Sequence, residues 1–166
     1  MSLLEALDGR IRVLERVGSW AEAVRISGEL LAADGLVAPF YVERMIRTCE
    51  ELGPYIAIAP GVAIPHARPE DGAYAFGLSL VVVKEGVSFG SHNDPVHVLI
   101  AFATPDRSAH IEFLRQLAEI LARSEEIAHA LACLETAEQV QAWLRVVLRG
   151  DDGASHRESP PPHVAK

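Results

Sequence analysis

Cysteine is nearly absent from this chain: Cys49 and Cys133 are the only two among 166 residues. Two thiols make no disulfide framework, and their scarcity fits a protein of the reducing cytoplasm. Long apolar runs are missing too. The longest unbroken one, residues 98–103, falls far short of the roughly 18–20 residues that cross a bilayer, so the chain is expected to be soluble, with no direct membrane insertion. At the N-terminus Glu5 and Asp8 sit among leucines and no basic segment leads into an apolar one, which does not read as a secretory signal. Positive charge is the scarcer sign, with 15 Lys and Arg against 23 Asp and Glu for a net of −8. That deficit argues against nucleic acid and anionic lipid, both of which call for clustered Lys and Arg, and favours a partner with a basic face.

What is present is enough for a core. With 49% apolar residues, a chain of this length buries a substantial interior, and disorder of the whole is excluded. The N-terminal half carries helix punctuation. Ser2 with Glu5 and Ser19 with Glu22 have capping-box spacing, which predicts helices starting near residues 3 and 20, the second stopping at Gly35. A third helix follows Pro39. Its Val42, Met45, Ile46, Cys49 and Leu52 recur at three- and four-residue intervals, and Gly53-Pro54 closes it.

From Tyr55 the pattern changes to short runs rich in branched and aromatic residues: 55–59, 73–83, 87–89 and 96–103. These predict strands. Residues 78–83 and 96–103 are almost continuously apolar, as strands covered on both faces are, so helices must flank the sheet on both sides. Helical periodicity returns at Ile111, Leu114, Leu117, Ala118 and Leu121, then after Ser124, then at the capping box of Thr136 and Gln139. The reading is an α/β domain over residues 1–150, a mixed β-sheet sandwiched by helices, followed by a proline-rich disordered tail at 151–166. The tail carries a net charge of −1, leaving −7 on the folded body, enough to help steer a basic docking face.

The chemistry concentrates in residues 59–72. Three prolines and two glycines stiffen the backbone around His66. A histidine held on a rigid loop at a sheet edge meets other molecules repeatedly, and a neutral imidazole is both a nucleophile toward a phosphoryl group and a good leaving group from one. Arg68, two residues on, offers a guanidinium for phosphoryl oxygens. Read from spacing alone, an ordinary loop histidine beside a solvated arginine stays open.

The segment from Gly61 to Gly72 with its Pro65-His66-Ala67-Arg68 centre, preceded by residues 51–56 and followed by Phe89-Gly90, residues 93–96 and His110, resembles the enzyme IIA component of the bacterial phosphoenolpyruvate-dependent sugar phosphotransferase system. It is most similar to the fructose/mannitol class, in the branch serving L-ascorbate, and the resemblance spans about residues 20–148. It implies that His66 takes a phosphoryl group from the carrier HPr and gives it to a cysteine of enzyme IIB. It further implies that His110 lies beside His66 and orients or stabilises the phosphoryl group, and that no metal or cofactor is needed. In the mannitol branch an arginine of the preceding helix reaches the site; the register here puts Thr48 there and Arg47 one residue earlier, so Arg68 is favoured as the phosphoryl-binding cation. A regulatory module of the same fold, binding another protein without serving transport, is the alternative. The sugar and pairing of two copies into a homodimer are left open.

Other signals are set aside. Ser88 within Gly86 to Gly90 matches the nucleophile-elbow pattern, but a turn follows it where an elbow needs a helix. His92 and His97 lack further ligands at a metal spacing. Cys133 reads as a small helix-face residue, and His129, His156 and His163 read as surface positions.

Overall fold

The computed structural model describes residues 2–106 and 111–152. In chain order the elements are α1 Leu3–Leu7, β1 Ile11–Leu14, α2 Trp20–Ala33, α3 Pro39–Leu52, β2 Val62–Ala63, β3 Gly77–Val87, β4 Val96–Ala103, α4 Ile111–Ala122, α5 Ser124–Ala132 and α6 Ala137–Asp152. Helix α6 thus extends two residues past the expected boundary at 150, and residues 153–166 lie outside the described residues. Among the described residues, no helix is long and apolar enough to cross a membrane.

The helix starts follow from their caps. Ser2 Oγ accepts from the Glu5 amide at 3.2 Å while the Glu5 carboxylate accepts from the Ser2 amide at 2.9 Å, a complete box. At α6 the same reciprocity joins Thr136 and Gln139, at 3.0 and 3.3 Å. At α2 only half of it forms: Ser19 Oγ accepts from the Glu22 amide, but the Glu22 carboxylate takes the Gly18 amide instead, at 2.6 Å.

The four strands lie in the order β1-β3-β4-β2, with β1/β3 and β2/β4 parallel and β3/β4 antiparallel. This is a mixed sheet. Side chains alternate across β3 and β4, so Val81, Val83, Leu99 and Ala101 pack with Val24, Leu31, Tyr41 and Met45 of α2 and α3. On the opposite face Leu78, Leu80, Val82, Val98 and Ile100 pack with α1, α4, α5 and α6 through Leu3, Leu7, Phe113, Ile127 and Leu144. Each buried Val, Leu, Ile, Met or Phe among them contributes about 1.5–3 kcal/mol on leaving water, and both cores are anchored on the same two central strands. The helix-sandwiched sheet is therefore the architecture read from the sequence.

The strand limits need correction. Residues 55–59 are no strand: Gly53 takes φ 72°, Pro54 presets the next turn, and Gly53–Ile56 closes as a 3-10 turn. Residues 73–76 precede β3, and Ala73 pairs only with Val37 as an isolated bridge. Of the separate strand expected at 87–89 only Val87 is strand, as the last residue of β3, reached through a register shift between Val82 and Val87; Ser88 and Phe89 lie beyond it. Two strands were missed, β1 and β2, the second only two residues long.

Candidate functional site

His66 follows β2 directly, on the loop that leaves its C-terminal end. Five hydrogen bonds pin that loop along its length. The Ile64 amide donates to the Ile56 carbonyl at 3.1 Å, and the Phe102 amide donates to the Pro65 carbonyl at 3.4 Å. The Ala67 amide donates to the Tyr41 hydroxyl at 3.1 Å, and the Arg68 amide to Asp71 Oδ2 at 3.1 Å. The Ala38 amide, at the start of α3, donates to the Gly72 carbonyl at 2.8 Å, and Gly72 sits so close that a Cβ there would lie 2.9 Å from that of Ala38. Tyr41 also reaches across to β4, with its hydroxyl 3.2 Å from the Phe102 carbonyl.

The imidazole is half-buried. Its Nδ1 lies 2.8 Å from the Ile64 carbonyl, and its ring stacks on Phe102 with centroids 4.8 Å apart and planes 24° from parallel. A carbonyl oxygen only accepts, so Nδ1 carries a proton, and in the neutral ring the lone pair is on Nε2. Around it opens a cleft of about 500 Å³ lined by His66, Ala67, Arg68, Pro69, Glu70, Phe102, Thr104 and Asp106. The Arg68 side chain is exposed there and makes no ion pair among the described residues. An open nucleophilic nitrogen beside an uncommitted guanidinium is suited to a group carrying several anionic oxygens.

Of the residues singled out in the sequence, the cleft brings together His66 and Arg68. His110 lies outside the described residues, immediately ahead of α4. Arg47 is exposed on α3 and Thr48 is half-buried beside it; neither lines the cleft. The α3 arginine that approaches the loop is Arg44, whose Nη1 is 3.7 Å from Asp71 Oδ1. Ser88 is used in a turn, donating to Asp94 Oδ2 at 3.0 Å. Sequence reasoning missed Tyr41 and Phe102. A signal existed for Tyr41: it falls on the buried face of α3 with Val42, Met45 and Ile46, and a buried phenol needs a hydroxyl partner.

A second cleft of about 460 Å³ lies at the other end of the sheet, lined by Gly61, Lys84, Asp94, His97, Glu125, His129 and Cys133 among others. Two of its charges are committed elsewhere, Lys84 to Glu135 and Asp94 to the turn at Phe89, Gly90 and Ser91. Among the described residues no three His, Cys, Asp or Glu side chains are grouped to hold a metal ion.

Comparison with known proteins shows the family of the chain. The family described as "Phosphoenolpyruvate-dependent sugar phosphotransferase system, EIIA 2" matches residues 7–146. The chain belongs to that family. An EIIA component is a phosphotransferase and a phosphocarrier. Among curated relatives, the ascorbate-specific PTS system EIIA component of Salmonella choleraesuis (strain SC-B67) is 37% identical over 144 residues, covering 84% of this chain and 93% of the relative. Among solved structures, the mannitol-specific cryptic phosphotransferase enzyme IIA CmtB of Escherichia coli superimposes with a TM-score of 0.73 at 30% identity, covering 86% of this chain and 97% of that one. The complex of enzyme IIA for mannitol with phosphorylated enzyme IIB for mannitol, also from Escherichia coli, gives 0.66 at 26% identity over 81% of this chain and 94% of that one.

Proposed function

We propose that Nε2 of His66 accepts a phosphoryl group from phospho-HPr and passes it to a cysteine of an enzyme IIB, in the cytoplasm, as one step of L-ascorbate uptake. The observation that carries this reading is the Nδ1 contact with the Ile64 carbonyl on a histidine that lines the cleft, because a proton held on Nδ1 gives the lone pair of the neutral ring to Nε2. In the first half-reaction the Nε2 lone pair forms a new N–P bond while the P–N bond to the HPr imidazole breaks, and the departing ring recovers its electron pair. With a proton on Nδ1 and phosphorus on Nε2 the His66 ring is cationic. The Ile64 carbonyl stabilises that charge, and the charge makes Nε2 a good leaving group for the second half-reaction. There an enzyme IIB thiolate forms an S–P bond as N–P breaks, and Nε2 regains its lone pair. Nδ1 keeps its proton throughout.

Phosphoryl transfer asks the protein mainly for in-line placement and for neutralisation of the equatorial oxygens. Arg68 is assigned the second task, and His110 is assigned to orient or stabilise the phosphoryl group. The relationship to the ascorbate-specific relative supports the choice of sugar. The test is incubation with phosphoenolpyruvate, enzyme I and HPr. The expected product is an acid-labile phosphoryl group on His66 that then moves to the enzyme IIB of an ascorbate system faster than to one of a mannitol system. Intact protein left unphosphorylated by active partners overturns the reading. Phosphorylation on His66 with no onward transfer to any enzyme IIB points to the regulatory alternative.

A further inference from the structure

Tyr41 stands apart from the mechanism above, yet it touches both neighbours of the reacting ring. It is 1% exposed, and burial pushes its pKa up to about 12, so the hydroxyl stays protonated at physiological pH and both donates and accepts. It accepts from the Ala67 amide at 3.1 Å. Its single proton is offered to the Phe102 carbonyl at 3.2 Å or the Ala67 carbonyl at 3.3 Å. Ala67 is the covalent neighbour of His66, and Phe102 is the ring on which the imidazole stacks.

We infer that Tyr41 is a positioning residue for phosphoryl transfer: its hydroxyl joins the His66 loop to β4 and so holds the imidazole in its Nδ1-protonated form and in its aim. The inference rests on the reading of His66 as the phosphoryl carrier. The physical reason is the cost of releasing the clamp. Without the hydroxyl, the Ala67 amide is left buried and unpaired, since Ala67 is only 7% exposed. The loop then shifts toward water, the 2.8 Å contact from Nδ1 to Ile64 loosens, and Nε2 no longer meets phosphorus in line. A tyrosine that served only to fill the core would lose stability on truncation and leave the ring undisturbed.

The experiment compares wild type, Tyr41→Phe, which keeps the ring, and Ile120→Val, which loses a buried methyl group on the opposite face of the sheet. Phosphoryl transfer from phospho-HPr is followed together with the nitrogen chemical shifts of the His66 ring. For Tyr41→Phe, kcat is expected to fall roughly three- to tenfold with KM for phospho-HPr within about twofold, and the ring shifts are expected to move toward a mixture of tautomers. Ile120→Val should keep wild-type kcat and ring shifts. Wild-type kcat and shifts in Tyr41→Phe overturn the inference, and so does slowing equal to that of Ile120→Val. Should Tyr41→Phe fail to fold, hydrogen exchange on the wild-type protein decides: a slowly exchanging Ala67 amide supports the clamp and a freely exchanging one overturns it. A wild-type protein that takes up no phosphoryl group overturns the role of His66, while the ring shifts still decide whether Tyr41 sets the tautomer.

Discussion

The two ends of the sheet each hold a histidine with the same local chemistry and opposite surroundings. His66 Nδ1 meets the Ile64 carbonyl at 2.8 Å, and His97 Nδ1 meets the Val83 carbonyl at 3.0 Å. Both rings border clefts of similar volume. At the His97 end, however, the ring is crowded by the last turn of backbone in β3, where a Cβ added to Gly86 would stand 2.9 Å from Cε1 and 3.3 Å from Nε2. The lysine beside that cleft is already paired with Glu135, whereas Arg68 beside His66 is uncommitted among the described residues. A fixed tautomer is therefore insufficient for a carrier. The nitrogen also needs open approach and a cation that is not neutralised within the protein.

The largest contrast is expected from the histidines themselves. His66→Ala should abolish phosphorylation by phospho-HPr, while His97→Ala should be phosphorylated at the wild-type rate, both read by mass spectrometry; phosphorylation retained in the first variant breaks the comparison. Next come the cations. Arg68→Gln removes the charge-assisted hydrogen bond proposed for the phosphoryl group, of a kind worth about 1.5–3 kcal/mol, so transfer should slow by roughly ten- to a hundredfold. Lys84→Gln leaves only an exposed Glu135 without its partner, and its transfer rate should stay within about twofold of wild type. Equal rates for the two variants would remove the distinction between a free and a committed cation.

The same contrast shows what a sequence makes legible. The stiff frame of His66 is local, set by Pro65, Pro69 and Gly72 within a few residues, and so the reactive loop is readable. The Tyr41 clamp is not local: its partners lie 26 and 61 residues away along the chain. The fold divides in the same way. Helix starts at Ser2, Ser19 and Thr136 are written in capping residues three positions apart, and the central strands in unbroken apolar runs. Strands β1 and β2, four and two residues long, exist through pairing with β3 and β4 and are too short to carry a period of their own. Residues 55–59 misled in the other direction, since their apolar content suits a strand while Gly53 and Pro54 impose a turn.

Smaller effects come from the glycines that hold each end. Gly72, at φ 114°, would bring a Cβ to 2.9 Å from Ala38 Cβ; Gly86, at φ 81°, would bring one to 2.9 Å from both Pro95 and His97. Alanine at either position is expected to cost about 1–3 kcal/mol of stability from the positive φ and the close contact together. Melting curves should thus show similar losses. Only Gly72→Ala should also slow phosphorylation, by a few-fold, because only it disturbs the loop tied to α3. Slowing of equal size in both variants would mean that transfer follows general stability and not the position of the His66 loop.

The smallest expected effect sharpens the comparison by pH. Asp94 is partly buried, which pushes its pKa upward, but the Phe89, Ser91 and Gly90 amides and the Ser88 hydroxyl all donate to its carboxylate and carry the net shift below the ordinary aspartate value. A pKa lowered by folding means that these bonds contribute fully above the unfolded value of about 3.9 and are lost as pH falls through the folded one. Acid should therefore loosen the turn at the His97 end. Among the described residues nothing comparable ties the His66 loop to Asp94, so the Ala67 amide should keep its protection at a pH where the Phe89 amide begins to exchange. Asp94→Asn takes away the titrating group: its melting temperature should lie below wild type at neutral pH, and the gap should narrow as pH falls below about 4, where Asp94 of the unfolded wild-type chain protonates ahead of the folded one. A gap that stays constant with pH would assign the turn's stability to its backbone and not to the carboxylate.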